Sequence, residues 1–377
     1  MSQLSSRRTF LKSLIAVSAA GAALSVSGCG SKPTPTASAP SSPTQPAAAP
    51  ASPTTPPPSP TAAPPSPTAL PPTQAPTATA VPPTATLAPT ATARPAATAT
   101  TAPVASAAYL AVARGAKADP AELVRRAVKA IGGIERFVKK GNDVIVKPNI
   151  CNAYHGAEYA STTNPQVVAA IVSLCLGAGA KRVRVMDFPF GGTPQASYQT
   201  SGIADAVKAA GGEMEAMSSM RFRDINIPQG KRIKQWRVYG NILDADVVIN
   251  VPIAKDHGAT RLTLGMKNLM GVVQDRTGMH SRGLDQSIAD INTVIRPQLT
   301  IVDAVRILMA NGPTGGNLAD VKRIDTVIAS ADVVAADAYA TTLFNLKPDD
   351  IGYIRYGAEM GLGQMDLKAM KIEEIGV

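Results

Sequence analysis

Lysine, histidine and aspartate side chains stand directly after several apolar segments of this sequence, where buried strands are expected to end. Lys147 closes the segment DVIVK, Asp187 closes RVRVMD and Asp303 closes LTIVD. Lys255 and His257 follow the segment DVVINV in a short predicted loop. Ligands bind beyond the carboxyl ends of the strands in open α/β sheets. We therefore predict that these five side chains surround one solvated pocket.

Four further polar residues are expected to reach the same pocket. Asn149 comes two positions after the end of the first of these strands. Apolar residues at helical spacing predict a helix over residues 260–273, whose apolar pattern is interrupted by Lys267 and Asn268. His280 lies in the loop that is predicted to follow this helix. Together with the two earlier lysines, Asn149, Lys267 and Asn268 are the predicted ligand-binding residues.

These residue types suit binding and acid–base chemistry on an anionic small molecule. Lysine ammonium groups bind carboxylates or phosphates, and His257 or His280 would serve as general acid or base, since imidazole titrates near neutral pH. Asp303 or Asp187 would orient the histidine or hold a metal. A divalent metal held by Asp187, His257 and His280 is a second hypothesis, although no two of these residues stand at a diagnostic metal-ligand spacing. The alternative to a functional site is that the lysines form ion pairs at the ends of the sheet, the aspartates cap loops, and the histidines lie on the surface.

The number of cysteines limits the cofactors that this chain can hold by itself. Its three cysteines are Cys29, Cys151 and Cys175, and no two of them form a C-x-x-C pair. This set excludes a cysteine-ligated iron–sulfur cluster or a common structural zinc site in this chain. Cys151 and Cys175 are expected to be buried thiols, and a disulfide between them is permitted but not indicated.

The N-terminus carries two adjacent export signals. The segment SRRTFLK at residues 6–12 is typical of a twin-arginine signal, and a weakly apolar stretch too short to span a bilayer comes after it. The segment VSGC at residues 26–29 is typical of a lipobox. We therefore predict a signal peptide over residues 1–28 and lipidation of Cys29. Acyl chains there would anchor the protein to the outer face of the cytoplasmic membrane, because each buried methylene contributes about 0.8 kcal/mol.

Residues 29–106 consist almost wholly of Pro, Thr, Ala and Ser. Such a segment cannot offset its ordering entropy by burial, so it is predicted to be a disordered linker. The formal net charge of the chain is +10, and the residues before Ala105 contribute basic side chains but no acidic ones. The remaining domain is therefore only mildly basic, which in an exported protein indicates anionic small molecules or surfaces as partners and argues against nucleic acid.

Residues 107–377 are predicted to form an α/β domain, with one core or two lobes left open. Apolar strand patterns alternate with helix patterns, and this alternation favours a largely parallel sheet covered by helices on both faces. The segment Arg221–Tyr239 departs from this pattern. It is basic, holds the only tryptophan of the chain and is predicted to be a β-hairpin insertion.

Seven segments in order resemble the bacterial and archaeal family called domain of unknown function 362. They are VIVKPNI, TTNPQVVAAIV, GAGAKRVRVMD, VINVPIAKDHGATRLTLGMKNLMGVV, TIVDA, NGPTGG and SADVVAADAYAT. The resemblance runs from about Tyr109 to the C-terminus and identifies a short form that lacks the ferredoxin module fused to many members. It implies no settled activity. The family pattern carries over at Lys147, Asn149, Asp187, Lys255, His257, Lys267, Asn268, His280, Asp303 and Asp337. A fold-level kinship with the nickel-pincer lactate racemases is a further resemblance, without a matching active-site motif.

Three functions remain open on these grounds. The first is a membrane-anchored enzyme outside the cytoplasm that acts on an anionic substrate, with or without a metal. The second is a solute-binding lipoprotein, for which a cleft is sufficient. The third is an accessory subunit of a redox complex whose partner protein carries the clusters.

Overall fold

The computed structural model of the protein describes residues 109–377. These residues comprise nearly all of the predicted α/β domain. The predicted signal peptide over residues 1–28, the predicted lipidation site Cys29 and the predicted linker over residues 29–106 lie outside the described residues.

The domain alternates strands and helices along the chain. The strands are β1 (Tyr109–Arg114), β2 (Asp143–Pro148), β3 (Arg182–Val185), β4 (Glu213–Met214), β5 (Phe222–Asn226), β6 (Gln235–Tyr239), β7 (Val247–Val251), β8 (Ile253–His257), β9 (Arg261–Thr263), β10 (Leu299–Leu308), β11 (Val321–Ser330) and β12 (Lys371–Gly376). The helices are α1 (Pro120–Ala130), α2 (Pro165–Gly177), α3 (Pro194–Thr200), α4 (Ile203–Ala209), α5 (Gly240–Asp244), α6 (Gly265–Asn268), α7 (Arg276–Ser281), α8 (Leu284–Asn292), α9 (Val333–Thr341) and α10 (Gly352–Glu359).

One ten-stranded sheet organises the domain. Its main path runs β12-β1-β11-β10-β7-β2-β3-β4, and β8 pairs with β10 and with β9. The strands from β10 through β7, β2 and β3 to β4 are parallel, whereas β11 is antiparallel to both of its neighbours. The predicted largely parallel sheet is confirmed, and β11 is its main exception.

Apolar cores lie on both faces of this sheet. Helices α1, α2 and α4 pack on one face through side chains such as Leu123, Ile171 and Val207. Helices α6, α8, α9 and α10 contribute to the core on the other face, for example through Met266 and Ile354. The predicted cover of helices on both faces is therefore confirmed. Because the two faces are dry, polar side chains on the inner strands must find partners at the strand ends.

The predicted hairpin is confirmed and forms a separate sheet. Strands β5 and β6 pair in antiparallel register, from Phe222 opposite Tyr239 to Asn226 opposite Gln235. The buried carboxylate of Asp290 on α8 accepts hydrogen bonds from three backbone amides of the hairpin turn, at 2.9, 2.6 and 2.9 Å. Asp290 thus holds the turn of the hairpin, while Gln274 binds strand β6 through the Trp236 indole and the Arg237 carbonyl oxygen.

The long helix predicted over residues 260–273 is wrong. Pro252 interrupts the apolar run, and the chain continues as strand β8, which turns back and pairs with β9. The only α-helical residues of the segment are Gly265–Asn268, and a 3-10 turn comes directly after them. Consequently Lys255 and His257 lie on a strand and not in a loop. The apolar spacing of this segment combines strand alternation with one short helix, so its periodicity was misleading.

Within residues 109–377, none of the helices has the length and apolar character needed to cross a membrane.

We expect Asp290→Ala to destabilise the domain by about 3 kcal/mol, because three amides of the hairpin turn lose a charged acceptor in a buried position. Urea unfolding monitored by the fluorescence of Trp236, which lies on the hairpin, measures the change. Asp205→Ala, at an exposed position on α4, is the control and should change the free energy of unfolding by less than about 1 kcal/mol. Equal losses for the two variants would contradict the role assigned to Asp290.

Candidate functional site

A cavity of about 1090 Å³ lies between the loops after β2 and β3, strand β8, helices α6 and α7, and the hairpin. Seven of the nine pocket residues predicted from the sequence line it. They are Asn149, Asp187, Lys255, His257, Lys267, Asn268 and His280. The other two, Lys147 and Asp303, do not line it.

Lys147 lies beneath the cavity and is completely buried. Its Nζ is 2.9 Å from Asp187 Oδ1 and donates to Asn268 Oδ1 at 2.8 Å. Burial lowers the pKa of Lys147, and the Asp187 carboxylate opposes this change. The structure therefore favours the ordinary alternative for Lys147, an ion pair at the end of a strand.

Asp187 is fully engaged by protein groups. Besides Lys147, its oxygens accept from the backbone amides of Ile150 at 2.6 Å and Phe188 at 2.9 Å. The backbone of Gly271 passes so close that a Cβ atom there would lie 1.9 Å from Asp187 Oδ1. The ion pair and this glycine together form the floor of the cavity.

Lys255 is buried, which corrects the expectation that it is a solvated pocket residue. Its Nζ donates to Asn149 Oδ1 at 3.0 Å and to the carbonyl oxygens of Ser161 at 2.6 Å and Pro313 at 2.9 Å. All three donors of the ammonium group are used, and all three acceptors are neutral. Lys255 therefore orders the loops around the cavity and leaves its positive charge uncompensated by a bonded carboxylate.

Asn149 and Asn268 connect the two buried lysines. Asn149 donates to Asn268 Oδ1 at 3.0 Å while it accepts from Lys255. The amide nitrogen of Asn268 donates to the carbonyl oxygen of Lys147 at 3.1 Å and to Asn250 Oδ1 at 2.9 Å. Asn268 thus satisfies both ends of its amide inside the protein, and its predicted role in ligand binding reduces to supporting the floor.

Lys267 differs from the other two buried lysines. It is 8 % exposed and lines the cavity. Its one hydrogen-bond contact among the described residues is the sulfur of Met270, at 3.6 Å from Nζ. Burial, followed by the charges of Lys255 and Arg276, lowers the pKa of Lys267 to about 8. Nearby, the buried hydroxyl of Thr263 lines the cavity and finds no hydrogen-bond partner in residues 109–377.

The pKa values of both cavity histidines are lowered. Burial, with the charges of Lys267 and Lys255, lowers the pKa of His257 to about 3. Its Nδ1 accepts from the amide of Ala259 at 3.0 Å, so the proton of the neutral ring is on Nε2. Burial and Lys267 also lower the pKa of His280. A neutral His257 with this tautomer is a hydrogen-bond donor and a weak base.

Two features of the site were missed from the sequence. Arg276 donates to the carbonyl oxygens of Phe188 at 2.9 Å and Pro189 at 3.1 Å, and its guanidinium lies 5.2 Å from the Phe188 ring centre. Trp236 of the hairpin forms part of an aromatic wall with Phe188 and Phe190. The signal that was available is the position of the only tryptophan of the chain in the middle of a basic hairpin.

Asp303 is not part of the cavity. Its carboxylate is fully buried and accepts from the backbone amides of Asn164 at 2.7 Å and Val305 at 3.0 Å. Burial raises the pKa of Asp303 to about 6. Along β10, Asp303 alternates with Val302, so the two side chains point to opposite faces of the sheet, and Val302 belongs to the core below α6, α8 and α9. Its predicted catalytic role therefore has no geometric support, and it caps the start of α2.

The predicted metal ligands Asp187, His257 and His280 are not assembled as a metal site. In the part of the chain that the structure describes, no group of three or more His, Cys, Asp or Glu side chains is placed to hold a metal ion. Asp187 is already occupied by Lys147 and two amides, and His257 Nδ1 is occupied by an amide.

We expect Gly271→Ala to destabilise the domain by about 3 kcal/mol, because the added Cβ would clash with Asp187 Oδ1 and Lys147 Nζ and break their buried ion pair. Urea unfolding monitored by Trp236 fluorescence measures this loss. Gly258→Ala is the matched control, since a Cβ at Gly258 would meet nothing within 4 Å. If the free energy of unfolding of the Gly271 variant is unchanged, the floor of the cavity can accommodate a side chain at this position, and the prediction is wrong.

Comparison with known proteins places the chain in a family. A cyanobacterial relative, the thylakoid-associated protein sll1697 of Synechocystis sp., is 28% identical over 253 residues, which are 63% of this chain and 74% of that protein. The lactate racemase apoprotein of Thermoanaerobacterium thermosaccharolyticum is similar with a TM-score of 0.39 at 12% identity, over 61% of this chain and 56% of that chain, and this likeness carries no argument. The family described as "Domain of unknown function (DUF362)" matches residues 144–342, more than half of the chain. The chain therefore belongs to the domain of unknown function 362 family.

Proposed function

We propose that the cavity binds an anionic small molecule with an apolar or aromatic part, in a domain exported and anchored by a lipid on Cys29. One observation carries the proposal: the ammonium group of Lys267 is buried at the cavity without an oxygen partner among the described residues. Burying an ammonium group without hydrogen bonds is costly, so a bound anion would supply the missing partner.

The charges around the cavity favour an anion. Lys255, Lys267 and Arg276 line it, and no carboxylate lies within ion-pair distance of any of them in residues 109–377. The acidic residues that line the same cavity have other partners: Asp187 binds Lys147, Asp224 lies 3.8 Å from Arg237, and Asp275 caps the amide of Gly278. A positive, partly enclosed cleft concentrates anions.

The aromatic side chains of the cavity suit an apolar part of the ligand. Phe188, Phe190 and Trp236 line the cavity, and Trp236 fixes its indole by donating to the carbonyl oxygen of Gln274 at 2.7 Å. Ligand cavities of a few hundred to about 1,000 Å³ hold molecules of cofactor or drug size. The donor groups of His257 and Thr263 would orient such a ligand without requiring acid–base chemistry, which favours the binding function over a catalysed proton transfer.

The cellular setting of the proposal rests on the export signals and on one relative. The segments SRRTFLK and VSGC predict export and lipidation, and the relative from Synechocystis sp. is a thylakoid-associated protein. Attachment to a membrane is therefore the proposed location of this domain as well.

The single tryptophan makes the binding proposal directly testable. Benzoate should change the fluorescence of Trp236 in a saturable manner, whereas benzamide, its uncharged counterpart, should bind at least about tenfold more weakly, because a charged hydrogen bond contributes about 1.5 kcal/mol or more. Lys267→Met should weaken benzoate binding by a similar factor.

Lys129→Met, an exposed change on α1, is the control for this titration and should bind benzoate as the wild-type protein does. Equal binding of benzoate and benzamide, or an unchanged affinity in the Lys267 variant, would contradict an anion site at this cavity.

For the proposed location, Cys29→Ser should release the exported protein from the membrane fraction, because the thiol that accepts the lipid is gone. Fractionation of cells with a high-salt wash and metabolic labelling with a fatty acid measure the effect. Retention of the variant in washed membranes would show that another part of the protein provides the anchor.

A further inference from the structure

We infer that Lys267 is a nucleophilic amine that forms an imine with the carbonyl group of an anionic 2-oxo acid. The inference rests on the proposed function, since the same cavity must first bind the anion. It goes further because it names the reacting atom, Lys267 Nζ, and the class of ligand.

The comparison of the three buried lysines supports this assignment. Lys147 is held by a carboxylate and an amide oxygen, and Lys255 is held by three oxygens. A nitrogen held in this way by oxygen atoms of the protein is fixed in place and is not free to approach a carbonyl carbon. Lys267 faces the cavity with a thioether as its contact within residues 109–377. Two of the three buried lysines are thus engaged by oxygen atoms of the protein, whereas the third is free of them among the described residues.

The surroundings of Lys267 also favour its neutral form. It is buried beside the charges of Lys255 and Arg276, and these effects lower its pKa to about 8. Desolvation and a neighbouring cation are the two devices that activate lysine nucleophiles in general. A substantial fraction of this amine is thus unprotonated at mildly alkaline pH.

The chemical step needs no oxidant, reductant or bound metal. The electron pair of neutral Nζ attacks the carbonyl carbon, and the carbonyl π electrons move to oxygen. Transfer of one proton from nitrogen to that oxygen gives a carbinolamine. The carbinolamine loses water as the second N–H proton leaves, so that the amine and the carbonyl compound yield an imine and one water molecule.

Other cavity groups fit the intermediates of this step. His257 offers its Nε2–H and Thr263 offers a hydroxyl that has no hydrogen-bond partner in residues 109–377, and either can donate to the developing oxygen. The charges of Arg276 and Lys255 suit the carboxylate of a 2-oxo acid, and the wall of Phe188 and Trp236 suits an aryl or alkyl substituent.

Reductive trapping tests the inference on the exported domain as it exists in the full-length protein. The wild-type protein is incubated with phenylpyruvate and sodium borohydride, which reduces an imine to a stable secondary amine. Intact-mass and peptide mass spectrometry should show one adduct, located on Lys267, and its rate of formation should rise between about pH 7 and pH 9 as the amine loses its proton.

Two variants and one independent measurement decide the outcome. Lys267→Arg keeps the positive charge but cannot form the imine, so at least tenfold less adduct is expected, whereas Lys129→Arg should be trapped like the wild type; thermal unfolding verifies that both are folded. An adduct on other lysines, or equal trapping of the Lys267 variant, would overturn the inference. If benzoate binds but no adduct is trapped, the imine is wrong and the proposed function stands. If benzoate does not bind and no adduct is trapped, the imine and the proposed function are both wrong.

Discussion

A lysine ammonium group buried at the end of the central strand β2 constrains everything around it, because its charge needs partners held at fixed positions. Lys147 obtains them from Asp187 at the end of β3 and from Asn268 at the end of α6. Gly271 then has to pass without a side chain, and the amides of Ile150 and Phe188 have to point at the carboxylate. Removing one member of a buried pair costs about 3–5 kcal/mol. The floor of the cavity is therefore a structural unit that holds two loops and one helix in place.

Above this floor, some polar groups have all their hydrogen-bond donors and acceptors in use, and others do not. Asn149, Asn268 and Lys255 use their donors and acceptors in hydrogen bonds within the protein. These buried polar groups therefore leave few free donors or acceptors for a ligand. Lys267 and Thr263 line the same cavity and keep unused donors among the described residues. Asp337 helps to place Lys267, since its buried carboxylate accepts from the amides of Gly265 and Met266 at the start of α6. A rigid support below and free donors above are what a binding site needs.

The parallel sheet could be predicted from the sequence because strands such as β2 and β7 are continuous apolar runs bounded by turns. The gathering of polar residues at one cavity was predictable from the rule for strand ends. The role of each residue could not be predicted, because a sequence shows that a lysine follows a strand but not which oxygen atoms surround its ammonium group. Asn268 and Pro313, which bind Lys147 and Lys255, lie 121 and 58 positions away from them in the chain. Asp303 was misplaced for a related reason: its side chain alternates to the other face of β10, and one residue of register decides the face. Pro252 and the pairing of β8 with β9 overrode a helical spacing in residues 260–273.

Because all three N–H groups of Lys255 are hydrogen-bonded within the protein, Lys255 would attract a proposed anionic ligand without recognising it through a direct hydrogen bond. With its three donors taken by Asn149, Ser161 and Pro313, Lys255 acts on a ligand through its field and offers no bond that a ligand must match. In the proposed function, direct contacts with the anion would come from Lys267, His257 and Thr263, and contacts with its apolar part would come in part from the hairpin of β5 and β6, which forms a separate sheet. The hairpin is a separate sheet whose sequence could change, whereas the buried Lys255 is a fixed source of positive charge. In the proposed function, long-range attraction and ligand choice would therefore depend on different residues, and each could change without the other.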